Sequence, residues 1–165
     1  MNKSMLEKVS DENLRELSQM ADECWHSAYD ELLGKDAVDY MLEKFQSVQA
    51  LRDQMEKENY IYFYLTEQGE KVGYCGLALQ NEDLFLSKLY LKEQMRGKGL
   101  GGKALGEIIA FARNVGAKRV YLTVNKKNER AIRAYRKFGF TKYGEGVADI
   151  GEGYEMDDYY FEFLL

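Results

Sequence analysis

Hydrophobic positions in the first third of the chain recur every three or four residues. Leu14, Leu17, Ala21, Cys24, Trp25, Ala28 and Leu32 form one such stripe. It is entered through Ser10 with Asp11, Glu12 and Asn13 and closed near Gly34, which predicts a long amphipathic helix. Two shorter helices are expected over Asp36–Lys44 and Ser47–Glu58, the second with Val48, Leu51 and Met55 on one face. From Asn59 the pattern turns strand-like. Tyr60–Leu65 and Val72–Leu79, joined through Gln68-Gly69-Glu70, predict a hairpin, and Leu84–Leu91 predicts a third strand after the polar turn Asn81-Glu82-Asp83. Past a glycine-rich stretch, Ala104, Leu105, Ile108, Ile109 and Ala112 mark a helix that Gly116 stops. Arg119–Val124 then predicts a strand, Glu129–Lys137 a helix with Gly139 beyond it, and Phe140–Tyr143 and Tyr159–Leu164 two last strands. This order is that of an α/β fold with a mixed sheet, and neither a repeat, a linker nor a proline interrupts it.

Composition narrows the classes. With 165 residues and 45% hydrophobic content the chain suits one domain around one core. It divides into a helical segment (1–58), a central unit (59–140) and C-terminal strands (141–165). Cys24 and Cys75 share no CxxC spacing and no apolar run precedes a cleavage site, so a reducing, cytoplasmic setting is expected. No stretch approaches the roughly 20 apolar residues that cross a bilayer, and the lone His26 has no partner at metal-ligand spacing, so neither a membrane span nor a metal is expected. A net charge of -5, with Lys and Arg spread among acids, argues against a nucleic-acid surface and suits a cationic small molecule.

The informative segment is Gln94-Met95-Arg96-Gly97-Lys98-Gly99-Leu100-Gly101-Gly102-Lys103, between a strand and an amphipathic helix. Glycines let successive backbone N–H groups point into one concavity, and the helix N-terminus adds its dipole, so a phosphate or pyrophosphate fits there. Gly97 to Lys103 matches the GxxxxGK of a nucleotide P-loop, but Ala104 stands where a hydroxyl would hold magnesium. Gly97, Gly99 and Gly102 match a dinucleotide GxGxxG, but the next strand ends at Val124-Asn125 with no acid for a ribose. A glycine turn serving only packing is the remaining plain alternative.

Gln94-x-x-Gly97-x-Gly99, and in a shifted register Arg96-x-x-Gly99-x-Gly101, resemble the pyrophosphate loop of the GNAT superfamily of acyl-CoA N-acetyltransferases. Downstream, Asn128-Glu129-Arg130-Ala131-Ile132-Arg133-Ala134-Tyr135-Arg136-Lys137-Phe138-Gly139-Phe140 resembles the family's Asn-x-x-Ala-x-x-x-Tyr-x-x-x-Gly-Phe helix. The resemblance covers roughly Tyr60 to Phe140; Glu93 departs from it where many members carry proline. It implies a mostly antiparallel central sheet flanked by helices, acetyl-CoA as co-substrate, and direct transfer to an amine.

On this resemblance, backbone at Leu89, Tyr90 and Leu91 faces the acetyl oxygen, Arg96, Gly97, Lys98, Gly99, Leu100, Gly101 and Gly102 hold the pyrophosphate, and Asn125 and Asn128 contact the cofactor. Tyr135 matches the general acid, since a phenol with a pKa of about 10 stays protonated at neutral pH and can donate to a thiolate whose thiol pKa is about 8.5. Asp83 aligns with the glutamate base of histone-type members, although a turn aspartate needs no such role. Cys75 lacks a partner that would make it a thiolate, so it is expected in the core. The acceptor pocket is expected from the N-terminal helices and the connection between the last strands. There Trp25, Tyr29, Asp30 and Glu31, with Asp149, Glu152, Tyr154, Glu155, Asp157 and Asp158, could hold a polycation by charge pairing and cation–π contact, against the plain alternative of a solvated acidic loop. Asp149-Ile150-Gly151 through Tyr159 resembles bacterial polyamine acetyltransferases, which makes spermidine or spermine the favoured acceptor. A peptide or protein amine, an aminoglycoside, a non-catalytic acyl-CoA sensor and a nucleotide switch are the alternatives. A homodimer is common for such a fold and stays open.

Overall fold

A computed structural model describes residues 4–165. After a short strand β1 (Leu6–Lys8) come α1 (Leu14–Leu33), α2 (Lys35–Gln46) and α3 (Val48–Lys57). The sheet continues through β2 (Tyr60–Glu67), β3 (Glu70–Gln80) and β4 (Asp83–Leu91). Next follow α4 (Leu100–Asn114), β5 (Arg119–Asn125), α5 (Glu129–Phe138), β6 (Thr141–Gly151) and β7 (Tyr154–Leu164). The seven strands form one sheet in the order β1-β2-β3-β4-β5-β7-β6. All neighbouring pairs are antiparallel except β4 with β5.

Each face of the sheet is covered by helices. On one, Leu14, Leu17, Ala21, Cys24 and Trp25 of α1 pack with Val38 and Met41 of α2, Leu51 of α3, and Tyr62, Tyr64 and Tyr74 of the sheet. On the other, Ala104, Leu105, Ile108, Ile109 and Ala112 of α4 and Tyr135 of α5 pack on Leu77, Leu86, Val120, Leu122 and Phe161. The expected α1 stripe and α4 stripe are thus the two seams between helix layer and sheet. Cys24 and Cys75 are both buried and unpaired, and burial pushes the Cys24 thiol up to about 12 and raises Cys75 as well, so neither is a thiolate nucleophile.

Three features depart from the sequence pattern. Strand β1 carries too few residues for a periodic signal. Ser10 does not cap α1: its hydroxyl donates to the Asn13 side chain, and a short 3₁₀ turn, Asp11–Asn13, precedes the helix. The acidic segment 149–158 is not a loop, because β6 and β7 form a long hairpin through it. Gly144, Gly146, Glu145 and Asp149 hide β6 from a propensity argument. The glycine at 146 is there because Tyr160 of β7 lies across it: a Cβ would overlap the Tyr160 hydroxyl.

Candidate active site

The site begins with a failure of two strands to stay together. β4 and β5 pair only at Leu84–Val120 and Phe85–Tyr121. Beyond that point β4 follows β3 to Leu91 while β5 follows β7 to Asn125. A bulge at Ser87 marks the parting, since Gly76 faces Lys88 but the next residue of β3, Leu77, faces Leu86. From Ser87 to Leu91 the β4 backbone therefore has no strand partner on the β5 side. The gap opens a cleft of about 600 Å³ that runs from the α1–α3 layer to α4 and α5.

On the α4 side the cleft is lined by Leu89, Leu91, Arg96, Gly101 and Leu105, and by Val124, Asn125, Asn128, Arg130 and Tyr135. Gly97, Lys98, Gly99, Leu100 and Gly102 shape the turn without lining it. Gly97 and Gly99 hold φ of 77° and 78°, a left-handed backbone in which a side chain would be strained, and Gly99 is the residue before α4. Because Lys103 N–H is bonded to the Gly99 carbonyl, the N–H groups of Leu100, Gly101 and Gly102 precede the first intrahelical bond of α4 and have no acceptor within it. Free N–H groups so arranged can seat an anion. Lys103 donates to Glu67 at 2.7 Å and is not aimed at a phosphate, as a P-loop lysine would be.

Polar side chains brace the middle of the cleft. Asn128 caps α5 by accepting from Ala131 N–H and also donates to the Tyr29 hydroxyl at 3.4 Å; Tyr29 meets the Tyr90 hydroxyl at 3.1 Å. Trp25 and Tyr29 pack against Tyr90 at centroid separations of 5.6 and 6.1 Å. Asn125 accepts from Lys127 N–H and fixes the turn into α5. Arg96 donates to Ser27 of α1, tying the glycine turn to the helical layer. Tyr135 is 9% exposed, and burial together with Tyr29 pushes its pKa above the ordinary tyrosine value, so its phenol carries a proton at any physiological pH.

Several expected site residues are elsewhere. Asp83 starts β4 at the closed end of the split, where its carboxylate is bonded to Arg119 at 2.9 Å, and Arg119 also holds Glu162; it does not line the cleft. Asp30 accepts from His26 at 2.6 Å rather than facing the cleft. His26, isolated by spacing, is surrounded in space by Asp22, Asp30 and Asp39, which take both ring nitrogens. Tyr154 packs at a tilt against Tyr40, and Asp157 pairs with Lys126 at 2.9 Å on the other face of β7. Of the acceptor residues named from sequence, the structure brings Trp25, Tyr29 and Asp158 to the cleft.

Two charged residues stand in place of those acids, and sequence reasoning gave neither of them a catalytic role. Asp158, one position along β7, lines the cleft with Met156. It is 7% exposed and its Oδ1 has no hydrogen-bond partner among the described residues. Burial, reinforced by Asp157 and opposed by Lys126, raises its pKa from 3.8 to about 6. Strand alternation held the signal: Phe161 and Phe163 mark the α4–α5 face of β7, so Asp158 is out of phase with them and Asp157 in phase. Lys88 also lines the cleft, donating to Ser87, and burial brings its pKa down to about 8.

The Acetyltransferase (GNAT) family model matches residues 14–140, and the chain belongs to that family. An uncharacterised N-acetyltransferase of Mycobacterium tuberculosis is 40% identical over 90 residues, covering 54% of this chain; the chain spans only 58% of that relative's length. Spermine/spermidine N(1)-acetyltransferase of Bacillus subtilis is 34% identical over 104 residues, covering 58% of this chain and 68% of the relative. Among solved structures, PaiA N-acetyltransferase of Thermoplasma acidophilum in complex with coenzyme A superposes with a TM-score of 0.77 over 97% of this chain and 98% of that one, at 20% identity, a likeness of fold. Among the described residues no helix is long and apolar enough to cross a membrane.

Proposed function

We propose that the cleft transfers an acetyl group from acetyl-CoA to a primary amine in one direct step, and that the amine belongs to a polyamine. The opening between β4 and β5 carries this reading. It sets unpaired backbone of Ser87–Leu91 and the protonated phenol of Tyr135 in one cavity, with the α4 N-terminus beside it. A pyrophosphate at α4 would lead a thioester along that gap. There a β4 N–H meets the charge that develops on the carbonyl oxygen, and Tyr135 meets the departing sulfur. The amine nitrogen forms the C–N bond as the C–S bond breaks. The thiolate takes the Tyr135 proton, and a proton lost by the new amide nitrogen restores the phenol.

Polyamine preference is supported by the far wall. Trp25, Tyr29, Phe45 and Tyr60 supply aromatic faces, and Asp53 and Glu58 of the α3 region supply carboxylates. Lys44 shares this wall with its ammonium already donated to the Ile150 carbonyl, and Lys88 sheds its charge more readily than an exposed lysine. The similarity to a spermine/spermidine acetyltransferase points the same way. The test is thiol release from acetyl-CoA against spermidine, spermine, a peptide N-terminus, an aminoglycoside and a simple monoamine. We expect kcat/KM for spermidine to exceed that for the monoamine by at least tenfold; a peptide or aminoglycoside ranking above both polyamines would reassign the acceptor.

A further inference from the structure

A buried carboxylate oxygen that accepts no hydrogen bond is costly to maintain, because ionised oxygen loses its water and gains nothing in return. Asp158 carries such an oxygen: the residue is buried, it lines the cleft, and Oδ1 is unpartnered among the described residues. Asp158 is held on β7 by its pairing with Asn125 of β5 on one side and Gly146 of β6 on the other. The charged groups acting on it are Asp157 of its own strand and Lys126 just beyond β5, while Tyr29 of α1 feels its charge. Tyr29 also acts on Tyr135, so Asp158 and the phenol share one neighbour in the middle of the cleft. Asp53 and Glu58 lie toward α3, where Glu58 acts on Lys88.

We propose that Asp158 is the residue that receives the acceptor ammonium and takes its proton. The inference rests on the N-acetyltransferase reading above and supplies the base that Asp83 does not. An incoming R–NH3+ donates to the orphaned oxygen and passes one proton to the carboxylate. The neutral amine attacks the thioester carbon, forming C–N while C–S breaks; its second proton returns to Tyr135 after the phenol has protonated the thiolate. Asp158 releases its proton to solvent, leaving amide, thiol and one free proton. A carboxyl raised to about 6 is ionised at neutral pH yet basic enough for the task.

The test compares the wild-type protein with Asp158→Asn, which keeps shape and removes charge, and Asp158→Glu, which keeps charge. Calorimetry would follow acetyl-CoA binding and then spermidine binding to the coenzyme A-saturated protein, with thiol release measured from pH 5 to 9. We expect Asp158→Asn to bind acetyl-CoA as the wild type does and spermidine at least tenfold more weakly. Its kcat/KM should fall about a hundredfold, without the acidic limb near pH 6, and Asp158→Glu should recover part of the activity. Equal spermidine affinity and an unchanged acidic limb in Asp158→Asn would overturn the proposal. Wild-type protein that binds acetyl-CoA but releases no thiol with any amine would remove the transferase reading and the proton step with it, whereas weaker spermidine binding by Asp158→Asn would still establish the ammonium site.

Discussion

At Asp158, folding and chemistry pull in opposite directions. Its carboxyl is raised from 3.8 to about 6, chiefly by burial. Between those values the native state keeps a proton that the unfolded chain has lost, so stability falls as pH rises through the window and stays lower above it. At about 1.4 kcal/mol per unit, discounted for the solvent that still reaches the carboxylate, the charge costs the native state about 1–3 kcal/mol at pH 7. Asp158→Asn should therefore raise the denaturant midpoint by the equivalent of about 1–3 kcal/mol at pH 7.5, with the gain disappearing by pH 4. A variant that is less active and more stable is the mark of a residue kept for function; equal or lower stability at pH 7.5 would mean that the carboxylate is satisfied in solution. Neighbouring residues show the limits of sequence at this scale. Tyr135 was legible because its helix motif is dense, whereas choosing between Asp157 and Asp158 required the phase of β7, which depends on a single residue step.

Elements explain why that phase was hidden. A strand rich in glycine and acid, such as β6, has little propensity to announce itself, and it exists because β7 supplies its partner and Tyr160 fills the space over Gly144 and Gly146. Without β6 extended to Gly151, the segment before Tyr159 reads from sequence as an acidic connection between strands. By contrast α1 and α4 were plain, since their apolar stripes match their packing. The α1–α2 contact adds a titrating link invisible to spacing: burial pushes the His26 pKa down, but Asp30, Asp22 and Asp39 together outweigh it and the net shift is upward. Its contribution to stability is thus full below the unfolded histidine value and lost as pH rises through the folded one. Sheet geometry makes a sharper prediction. At Gly76, opposite the bulge that parts β4 from β5, an added Cβ would stand 2.7 Å from the ring of Tyr62. Tyr62 is fully buried and hydrogen-bonded to Gln54 and Gln46, so it has nowhere to go. Gly76→Ala should destabilise the fold by about 2 kcal/mol in chemical denaturation; a change below about 0.5 kcal/mol would show that the Tyr62 ring shifts freely.

At the scale of the whole molecule, a sheet covered on both faces is split between its fourth and fifth strands, and the split joins the two helical layers through one cleft. One layer brings the α4 N-terminus and Tyr135; the other brings Trp25, Tyr29 and the aromatic wall. The order of motifs made this architecture readable, because loop, helix, strand and helix must follow one another for an anion seat and a phenol to meet. What the order could not supply was the base, since Asp83 and Asp158 are both acids at strand positions and only the point at which β4 and β5 separate tells which one faces the cleft. The function proposed for the cleft depends on acetyl transfer occurring there. The most direct test is to incubate the protein with acetyl-CoA and spermidine and to measure thiol released and acetylated amine formed, alongside Tyr135→Phe. One acetylated amine should form per thiol, and turnover should fall about a hundredfold or more in Tyr135→Phe with acetyl-CoA affinity retained. Tight acetyl-CoA binding without acetylated product from any amine would contradict acetyl transfer and leave a protein that senses the thioester.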